Sequence, residues 1–422
     1  MQLILLADTF PPRRTSGAVL LRDLVQELAA MGHDMTVVVP SETLNGRYAV
    51  SSEFGARIVR VACPSTKDVS YLRRSLAELT LSRRLLKGME AAEIPCTGWD
   101  GVVWYSPTIF LGSLAGRIKR SSGCPAYLIL RDIFPQWAVD MGLMSRGLIY
   151  RVFRHFEKLQ YEAADVIGVQ SHSNLGYFSQ PEKKTAAEVQ VLENWLGAEL
   201  VGEIPASLSY LAGKDKCVVV YAGNMGVAQG LGFVFKAIEV LRNRTDVEFL
   251  FIGRGSEVSA LKQFVGERRL ANVRFHDEIE PEQVSAVLKH CDIGLVSLDE
   301  RHKTHNVPGK FLSYLQAGLP PIAKINAGND LMVVITKENV GVAVTDGSVA
   351  DFANALVRLI DDKQDRDDMG ENARRLATSR YPVRHAARQI INALMIDQCD
   401  SGGPTPAPHT NKTRTGPKTP KT

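Results

Sequence analysis

The sequence predicts an α/β protein with two doubly wound, Rossmann-like domains that face each other across a cleft. Three observations predict this fold class. At 422 residues the chain is too long for one typical hydrophobic core. Its composition, 45% hydrophobic and 23% charged, is ordinary for a globular protein. Short apolar runs alternate with helical patterns along nearly the whole chain, and they form two consecutive series, which predicts two parallel sheets.

The first series predicts the N-terminal domain, residues 1–200. Between its first two strands, the stretch from Ala18 to Met31 has apolar residues at helical spacing, and Gly32 ends it. The order strand, helix, strand is a βαβ unit and predicts parallel pairing. The predicted strands are 3–8, 35–40, 57–62, 101–106, 126–132 and 165–171.

The second series predicts a C-terminal domain, residues 214–380. The boundary is predicted near 195–215, where Pro205 and Gly213 interrupt the pattern. A last segment, 381–398, contains a predicted helix at 383–397 that follows Tyr381-Pro382. The predicted strands of this domain are 217–223, 248–252, 273–276, 292–297, 320–325 and 341–345.

The charge distribution separates a short tail from the rest of the chain. The net charge of +4 lies entirely in residues 401–422, which contain four basic residues and no acid, so the preceding 400 residues are neutral overall. This tail is rich in Pro, Thr and Gly and is predicted to be disordered. Two interpretations remain open for it: a dispensable extension, or a contact with anionic lipid.

Several function classes are disfavoured. No stretch interleaves basic and aromatic residues as single-stranded nucleic acid would require, so no nucleic-acid partner is predicted. The six cysteines are scattered without a CxxC pair, which favours reduced thiols in the cytoplasm over a zinc site or a disulfide framework. The sequence shows no signal peptide and no apolar run near the roughly 20 residues that span a bilayer.

The stretch His305 to Pro320 carries the strongest functional signal. Pro308 and Gly309 break the backbone before a short apolar helix, and Gly318 ends the helix. The N-terminus of a helix presents free N–H groups and a partial positive charge, and Lys310 adds a full charge there. The pattern predicts an anion site suited to a diphosphate. The alternative is an ordinary capped helix with a solvated lysine.

This stretch resembles the donor-binding helix of the family 4 glycosyltransferases, which have the two-domain GT-B fold. The resemblance extends over most of residues 1–395. The family usually has two Glu with seven residues between them, whereas this chain has His305 and Ser313 at those positions. That variant resembles the branch that transfers N-acetyl-fucosamine or related amino sugars in O-antigen and capsule synthesis. The matching residues are Pro308, Lys310, Tyr314, Ala317, Gly318 and Pro320.

The resemblance implies the reactants and the place of the reaction. The donor is expected to be a nucleotide-diphosphate sugar, UDP-linked, which serves as co-substrate, and no cofactor or metal is expected. The acceptor is expected to be a polyprenyl-diphosphate-linked saccharide. The protein would therefore act in the cytoplasm, peripherally on the anionic inner face of the cytoplasmic membrane. Candidate lipid contacts are residues 71–74, 83–87 and 146–158.

Glycine-bearing loops follow the predicted strands where a ligand would bind. Gly17 in the first such loop lets the backbone approach a ligand. Arg13 and Arg14 beside it either reach phosphate or lie in solvent. The loop after the strand at 217–223 permits a tight turn that aims N–H groups at phosphate oxygens, although it also fits a plain βα turn. Its predicted donor-binding residues are Gly223, Asn224, Gly226, Gln229 and Gly230.

Two further loops are assigned to the donor. The resemblance places Arg254, Gly255 and Glu257 near the nucleotide base and ribose, and Glu257 either accepts from a ribose hydroxyl or caps the next helix. It also places His305 and Asn306 at the hydroxyl or acetamido groups of the donor sugar. In isolation, His302 and His305 could suggest a metal site, but no third ligand with zinc spacing accompanies them, so no metal site is predicted.

The predicted catalytic residues are Lys310 and Asp132. Asp132 ends a predicted strand in a segment, Arg131 to Pro135, that resembles the amino-sugar branch, and it would orient an acceptor hydroxyl or accept its proton. Its alternatives are a helix cap and a partner for Arg131. Lys310, together with the Gly223–Gly230 amides and the helix N-terminus at Gly309, would hold the leaving diphosphate. Ser313 of the same helix is a predicted donor-binding residue.

The predicted function is transfer of an amino sugar in surface polysaccharide synthesis. A nucleotide-sugar 2-epimerase of the same fold is an alternative, and so is a nucleotide-sugar-binding subunit without turnover. Transfer to an acceptor, isomerisation of the donor alone, or binding alone would distinguish the three.

Overall fold

The chain forms two sheets, one parallel and one parallel except for a single edge strand, and helices cover both faces of each. The computed structural model describes residues 1–65, 71–301, 303 and 307–400, without the side chains of 71–76 and 396–400. The basic tail and the His302, His305 and Asn306 assignments therefore lie outside the described residues. The strands are β1 (Gln2–Leu6), β2 (Asp34–Ser41), β3 (Tyr48–Glu53), β4 (Ala56–Ala62), β5 (Gly101–Ser106), β6 (Ala126–Leu130), β7 (Val166–Val169), β8 (Glu188–Val191), β9 (Cys217–Ala222), β10 (Val247–Ile252), β11 (Val273–His276), β12 (Ile293–Ser297), β13 (Pro321–Lys324) and β14 (Val342–Val344).

Helices connect nearly all of these strands. The α-helices are α1 (Ser16–Ala30), α2 (Tyr71–Ala91), α3 (Gly112–Ser122), α4 (Gln136–Asp140), α5 (Leu148–Ala163), α6 (His172–Phe178), α7 (Leu231–Val240), α8 (Val258–Arg268), α9 (Pro281–Leu288), α10 (Gly309–Ala317), α11 (Asp330–Lys337), α12 (Val349–Asp361), α13 (Lys363–Arg380) and α14 (Val383–Asp400).

The first sheet has the strand order β3-β4-β2-β1-β5-β6-β7-β8. Its strands are parallel except β3, which pairs antiparallel with β4 through a tight turn in which Phe54 and Gly55 have φ values of 55° and 74°. In β1, Leu3 and Leu5 pack into one helix layer while Ile4 and Leu6 pack into the other. A strand buried on both faces therefore reads as a continuous apolar run, which is why the sequence predicts it.

The second sheet has the order β11-β10-β9-β12-β13-β14 and is parallel throughout. The predicted fold class, two doubly wound Rossmann-like domains, is confirmed. Two strands were missed: β3 and β8 lie at the edges of the first sheet, and their side chains are mostly exposed or half-buried. Neither contains the continuous apolar run on which the prediction depends.

The polypeptide crosses between the two sheets twice, and the crossing segments pair with each other. The N–H of Leu196 donates to the carbonyl of Tyr381 at 2.7 Å, and the N–H of Val383 donates to the carbonyl of Leu196 at 2.8 Å. The Arg380 guanidinium pairs with the Glu193 carboxylate at 2.7 Å in the same region. After the second crossing, α14 packs against α1 in the core of the first sheet. The carboxyl ends of both sheets thus face a common cleft.

No helix within the described residues is both long and apolar enough to cross a membrane.

Candidate active site

A cavity of about 560 Å³ lies between the carboxyl ends of the two sheets. One wall comes from the start of α1 and the first crossing segment, and the other comes from α10, α9 and the loops after β9 and β10. The residues predicted to bind donor that line it are Gly223, Asn224, Gln229, Arg254, Gly309, Lys310 and Ser313.

Lys310 lies in the first turn of α10, against the aromatic ring of Tyr221. Its Nζ donates to the Tyr221 hydroxyl at 2.6 Å, lies 3.8 Å from the ring centroid and is 3.4 Å from Oε1 of Gln229. No carboxylate of the described residues pairs with this ammonium group. Burial without an anionic partner lowers the pKa of Lys310 to about 7. Among the described residues, the Lys310 ammonium group therefore lacks the anionic partner that a buried lysine normally has.

The N-terminus of α10 has no cap from a side chain. Pro308 occupies the N-cap position and can supply none. Just across the cleft lies the N-terminus of α1, so close that a Cβ on Gly309 would collide with Oγ of Ser16. Two helix N-termini, each with a partial positive charge, therefore converge beside Lys310. Such an arrangement favours a bound anion.

On the second-domain side of the cavity, two glycine loops pack against each other. A Cβ on Gly253, which has a φ of 139°, would collide with the carbonyl oxygen of Gly223, and one on Gly255 would collide with that of Met225. Backbone hydrogen bonds join the loops, from the Met225 N–H to Arg254 O at 2.7 Å and from the Glu257 N–H to Met225 O at 3.0 Å. Glycine is required here because the two backbones touch.

Some predicted donor residues of these loops do not line the cavity. Gly226 and Gly230 flank the short turn Val227–Gln229, and Gly230 adopts a left-handed conformation with a φ of 57°. Glu257 is the residue before α8 and its side chain makes no capping hydrogen bond, so of its two predicted roles the helix cap is wrong. Arg254, in contrast, lines the cavity and pairs with Glu278 at 3.2 Å.

On the first domain, Gly17 lies behind the cavity wall. A Cβ on Gly17 would be 2.9 Å from the Tyr105 hydroxyl, which explains the absence of a side chain at this position. Arg14 pairs with Glu280 of the second domain, and Arg13 pairs with Glu42 of its own domain at 2.7 Å. Both guanidinium groups therefore already have carboxylate partners.

Asp132 follows β6 at the carboxyl edge of the first sheet but does not line the cavity. Its neighbour Arg131 is buried, donates to the carbonyl of Leu192 at 2.6 Å and lies 4.9 Å from the Trp195 ring centroid. Burial lowers the pKa of Arg131 to about 10. Burial raises the pKa of the Tyr105 hydroxyl, and the negative charge of nearby Asp132 raises it further.

The sequence did not predict the contribution of Asp23 to the cavity. Ser16, Val19, Leu20 and Asp23 form one face of α1 and line the cavity together. Burial raises the pKa of the Asp23 carboxyl, although Arg22 donates to it at 2.8 Å. The spacing of i, i+3, i+4 and i+7 was visible in the sequence, but it indicates a buried face and does not reveal that this face is at the cleft.

Among the residues that the structure describes, no three His, Cys, Asp or Glu side chains lie close enough together to hold a metal ion.

Comparisons with known proteins agree with this architecture. Residues 17–195 match the model of the glycosyl transferase 4-like domain, and residues 216–362 match that of glycosyl transferases group 1. Together the two matches cover about three quarters of the chain.

Individual relatives are more distant. The chain is 25% identical over 250 residues to the probable glycosyltransferase WbjE of Pseudomonas aeruginosa, a match that covers 58% of this chain and spans only 61% of that protein. It is 24% identical over 341 residues to the putative colanic acid biosynthesis glycosyl transferase WcaI of Escherichia coli, covering 75% of this chain and 82% of that one.

Among solved structures, HepE of Anabaena in complex with UDP and glucose is similar, with a TM-score of 0.66 and 17% identity over 94% of this chain and 100% of that chain. At this identity the likeness concerns the fold alone. Because both domains match models of the same kind of enzyme and adopt its two-sheet architecture, the chain belongs to the GT-B glycosyltransferases that combine a glycosyl transferase 4-like domain with a group 1 domain.

Proposed function

We propose that this protein transfers an amino sugar, N-acetyl-L-fucosamine or a close relative, from a UDP-linked donor to a polyprenyl-diphosphate-linked saccharide. The reaction belongs to surface polysaccharide synthesis and requires no metal. The name of WcaI, a putative colanic acid biosynthesis glycosyl transferase, supports the polysaccharide role, and the UDP bound to HepE supports the donor nucleotide.

The observation that carries the proposal is the ammonium group of Lys310, which has no carboxylate partner among the described residues, at the N-terminus of α10, where Pro308 supplies no cap. A buried cation without an anion is costly, and a diphosphate would supply the missing charge. The diphosphate would also accept from the first amides of α10, and the N-terminus of α1 faces it from the other domain.

The same arrangement suits the chemistry of glycosyl transfer. When the bond between C1 of the sugar and the diphosphate breaks, the sugar acquires oxocarbenium character and negative charge grows on the leaving phosphate. Lys310 and the helix amides are fixed in place before the reaction, so they stabilise that growing charge without rearranging. The Tyr221 hydroxyl and ring hold the Lys310 side chain in this position.

We assign the remaining donor contacts to the loops of the second domain. Gly223 and Gln229 lie next to Lys310, and we assign them to the diphosphate together with Asn224. Arg254 and Ser313 line the same cavity, and we assign Arg254 to the nucleoside. We assign Asp132 to the acceptor, because it follows β6 at the carboxyl edge of the first sheet. Its carboxylate orients the acceptor hydroxyl or accepts its proton.

The start of α5 supplies a membrane-binding surface for a lipid-linked acceptor. Leu148 and Ile149 are 79% and 66% exposed, and Leu143 nearby is 62% exposed. Arg146 and Arg151 are exposed beside them. Exposed apolar side chains flanked by basic ones suit the headgroup region of an anionic bilayer.

Transfer assays with a panel of UDP-sugars and lipid-linked acceptors test the proposal. Radiolabel that moves from donor to lipid supports the transferase. Isomerised donor in the absence of acceptor would identify an epimerase instead, and binding of UDP-sugar without turnover would identify a binding subunit.

Vesicle sedimentation tests the membrane surface separately. The wild type should bind anionic vesicles at 0.1 M salt and release at 1 M, since the Debye length falls from about 10 Å to about 3 Å. Replacing Leu148 and Ile149 by Glu should abolish binding, whereas Val240→Glu, which changes an equally exposed apolar residue on α7, should not. Equal binding by all three proteins would refute this surface.

A further inference from the structure

Two amide side chains of the first domain hold one residue of the second. Oε1 of Gln170 accepts from the N–H of Val307 at 3.1 Å, and Nδ2 of Asn194 donates to the carbonyl of Val307 at 3.0 Å. Nε2 of Gln170 donates to Oδ1 of Asn194 at 3.4 Å, which closes the ring of contacts. Both backbone polar groups of Val307 are therefore satisfied from across the cleft.

The position of this contact in the fold is informative. Gln170 directly follows β7, and Asn194 lies two residues before Leu196, which pairs with the second crossing segment. Both side chains are buried. Val307 directly precedes Pro308, the N-cap of α10. The clamp, which we define as Gln170 and Asn194, thus holds a residue that lies three positions before Lys310 in the chain.

A second contact joins the same segment of the first domain to another part of the second. The Ser173 N–H donates to Oδ2 of Asp330 at 3.0 Å, and its hydroxyl donates to Oδ1 at 2.6 Å. Asp330 begins α11. This contact also holds the two domains together, but it does not touch α10 or the segment that leads into it.

We propose that Gln170 and Asn194 are positioning residues that set the N-terminus of α10, and with it Lys310, only when the two domains are closed. The first domain thereby takes part in building the diphosphate site of the second. The identity of the ligand rests on the proposed function; the mechanical role of the clamp does not.

The direction of the amides makes the clamp specific. Gln170 must present oxygen to an N–H and Asn194 must present NH₂ to a carbonyl, so an apolar replacement leaves a backbone group of Val307 without its partner. Each missing hydrogen bond should lower the affinity for UDP about three- to tenfold. Since both bonds fix the same residue, the two losses should not be additive.

The test compares Gln170→Met and Asn194→Leu, which roughly keep side-chain volume, with the matched control Ser173→Ala. The control removes the hydroxyl contact to Asp330 on the same segment. UDP affinity is measured by calorimetry, and hydrogen exchange of the amides of residues 307–312 is measured in the absence of ligand. Gln170→Ala and Asn194→Ala replace either clamp variant if it does not fold.

Hydrogen exchange of the amides at 307–312 should be faster than in the wild type in both clamp variants, but not in Ser173→Ala. UDP binding should also be weaker in the clamp variants, with the double variant close to the weaker single one. Exchange and affinity equal to those of the control would overturn the proposal. If even the wild type does not bind UDP, the assigned donor fails, and the exchange comparison alone decides the clamp.

Discussion

Replacing Lys310 by Met removes the charge that the proposed mechanism depends on while keeping most of the side chain. Two unit charges about 4 Å apart attract by about 4 kcal/mol at an effective dielectric constant of about 20. This corresponds to about three tenfold factors in rate, if the attraction is fully expressed in the transition state. The helix amides remain in the variant, so we expect turnover to fall at least about a hundredfold.

Folding should not suffer from this substitution. In the part of the chain that the structure describes, the ammonium group has no carboxylate partner to lose, and its depressed pKa indicates that burial of the charge is unfavourable. Thermal unfolding should therefore show a variant at least as stable as the wild type.

The assay is the release of UDP from the UDP-sugar that the panel identifies, at saturating acceptor. Lys262→Met is the matched control, because Lys262 also lies over an aromatic ring, 5.7 Å from the Phe275 centroid, but outside the cavity. Near-normal turnover of Lys310→Met would refute the assigned role of this lysine, and an equal loss in Lys262→Met would show that the effect is not local.

Three further outcomes are expected. UDP affinity should fall as the pH rises from about 7 to 9, since the pKa of Lys310 is lowered to about 7 and the neutral amine cannot pair with phosphate; calorimetry that finds constant affinity would contradict this. Asp132→Asn should keep UDP affinity but depress transfer, and a collapse of affinity would place Asp132 in the donor site instead. Gly253→Ala should lower the free energy of unfolding by on the order of 1–3 kcal/mol, measured by thermal unfolding, because its Cβ would collide with the Gly223 carbonyl. Gly266→Ala, with open space around the new Cβ, should not lower it.

The fold was predictable because the strands of a doubly wound sheet are buried on both faces. Runs such as Cys217–Ala222 and Ile293–Ser297 are apolar at nearly every position, and their order along the chain leaves few topologies. The edge strand Glu188–Val191 has no such run, since water solvates much of it. Its pairing depends on β7, and the local sequence does not encode that partner.

The site was predictable only where backbone chemistry left a local mark. Pro308 and Gly309 before Lys310 indicate a helix whose N-cap residue supplies no side-chain cap. Glycines indicate the loops whose backbones touch. The contacts of Gln170 and Asn194 could not be predicted from the local sequence. Their common partner, Val307, lies more than a hundred residues away along the chain, and only folding brings it to them. For the same reason the sequence did not predict that Arg14 pairs with Glu280 across the cleft.

A crystal structure of the protein with bound UDP would show whether Lys310 and α10 form the diphosphate site. The diphosphate should lie in the cleft between the N-termini of α1 and α10, with a β-phosphate oxygen within hydrogen-bond distance of the Lys310 ammonium and the Gly309 amide. UDP bound elsewhere on the protein, or bound in the cleft with its diphosphate turned away from Lys310, would contradict this assignment.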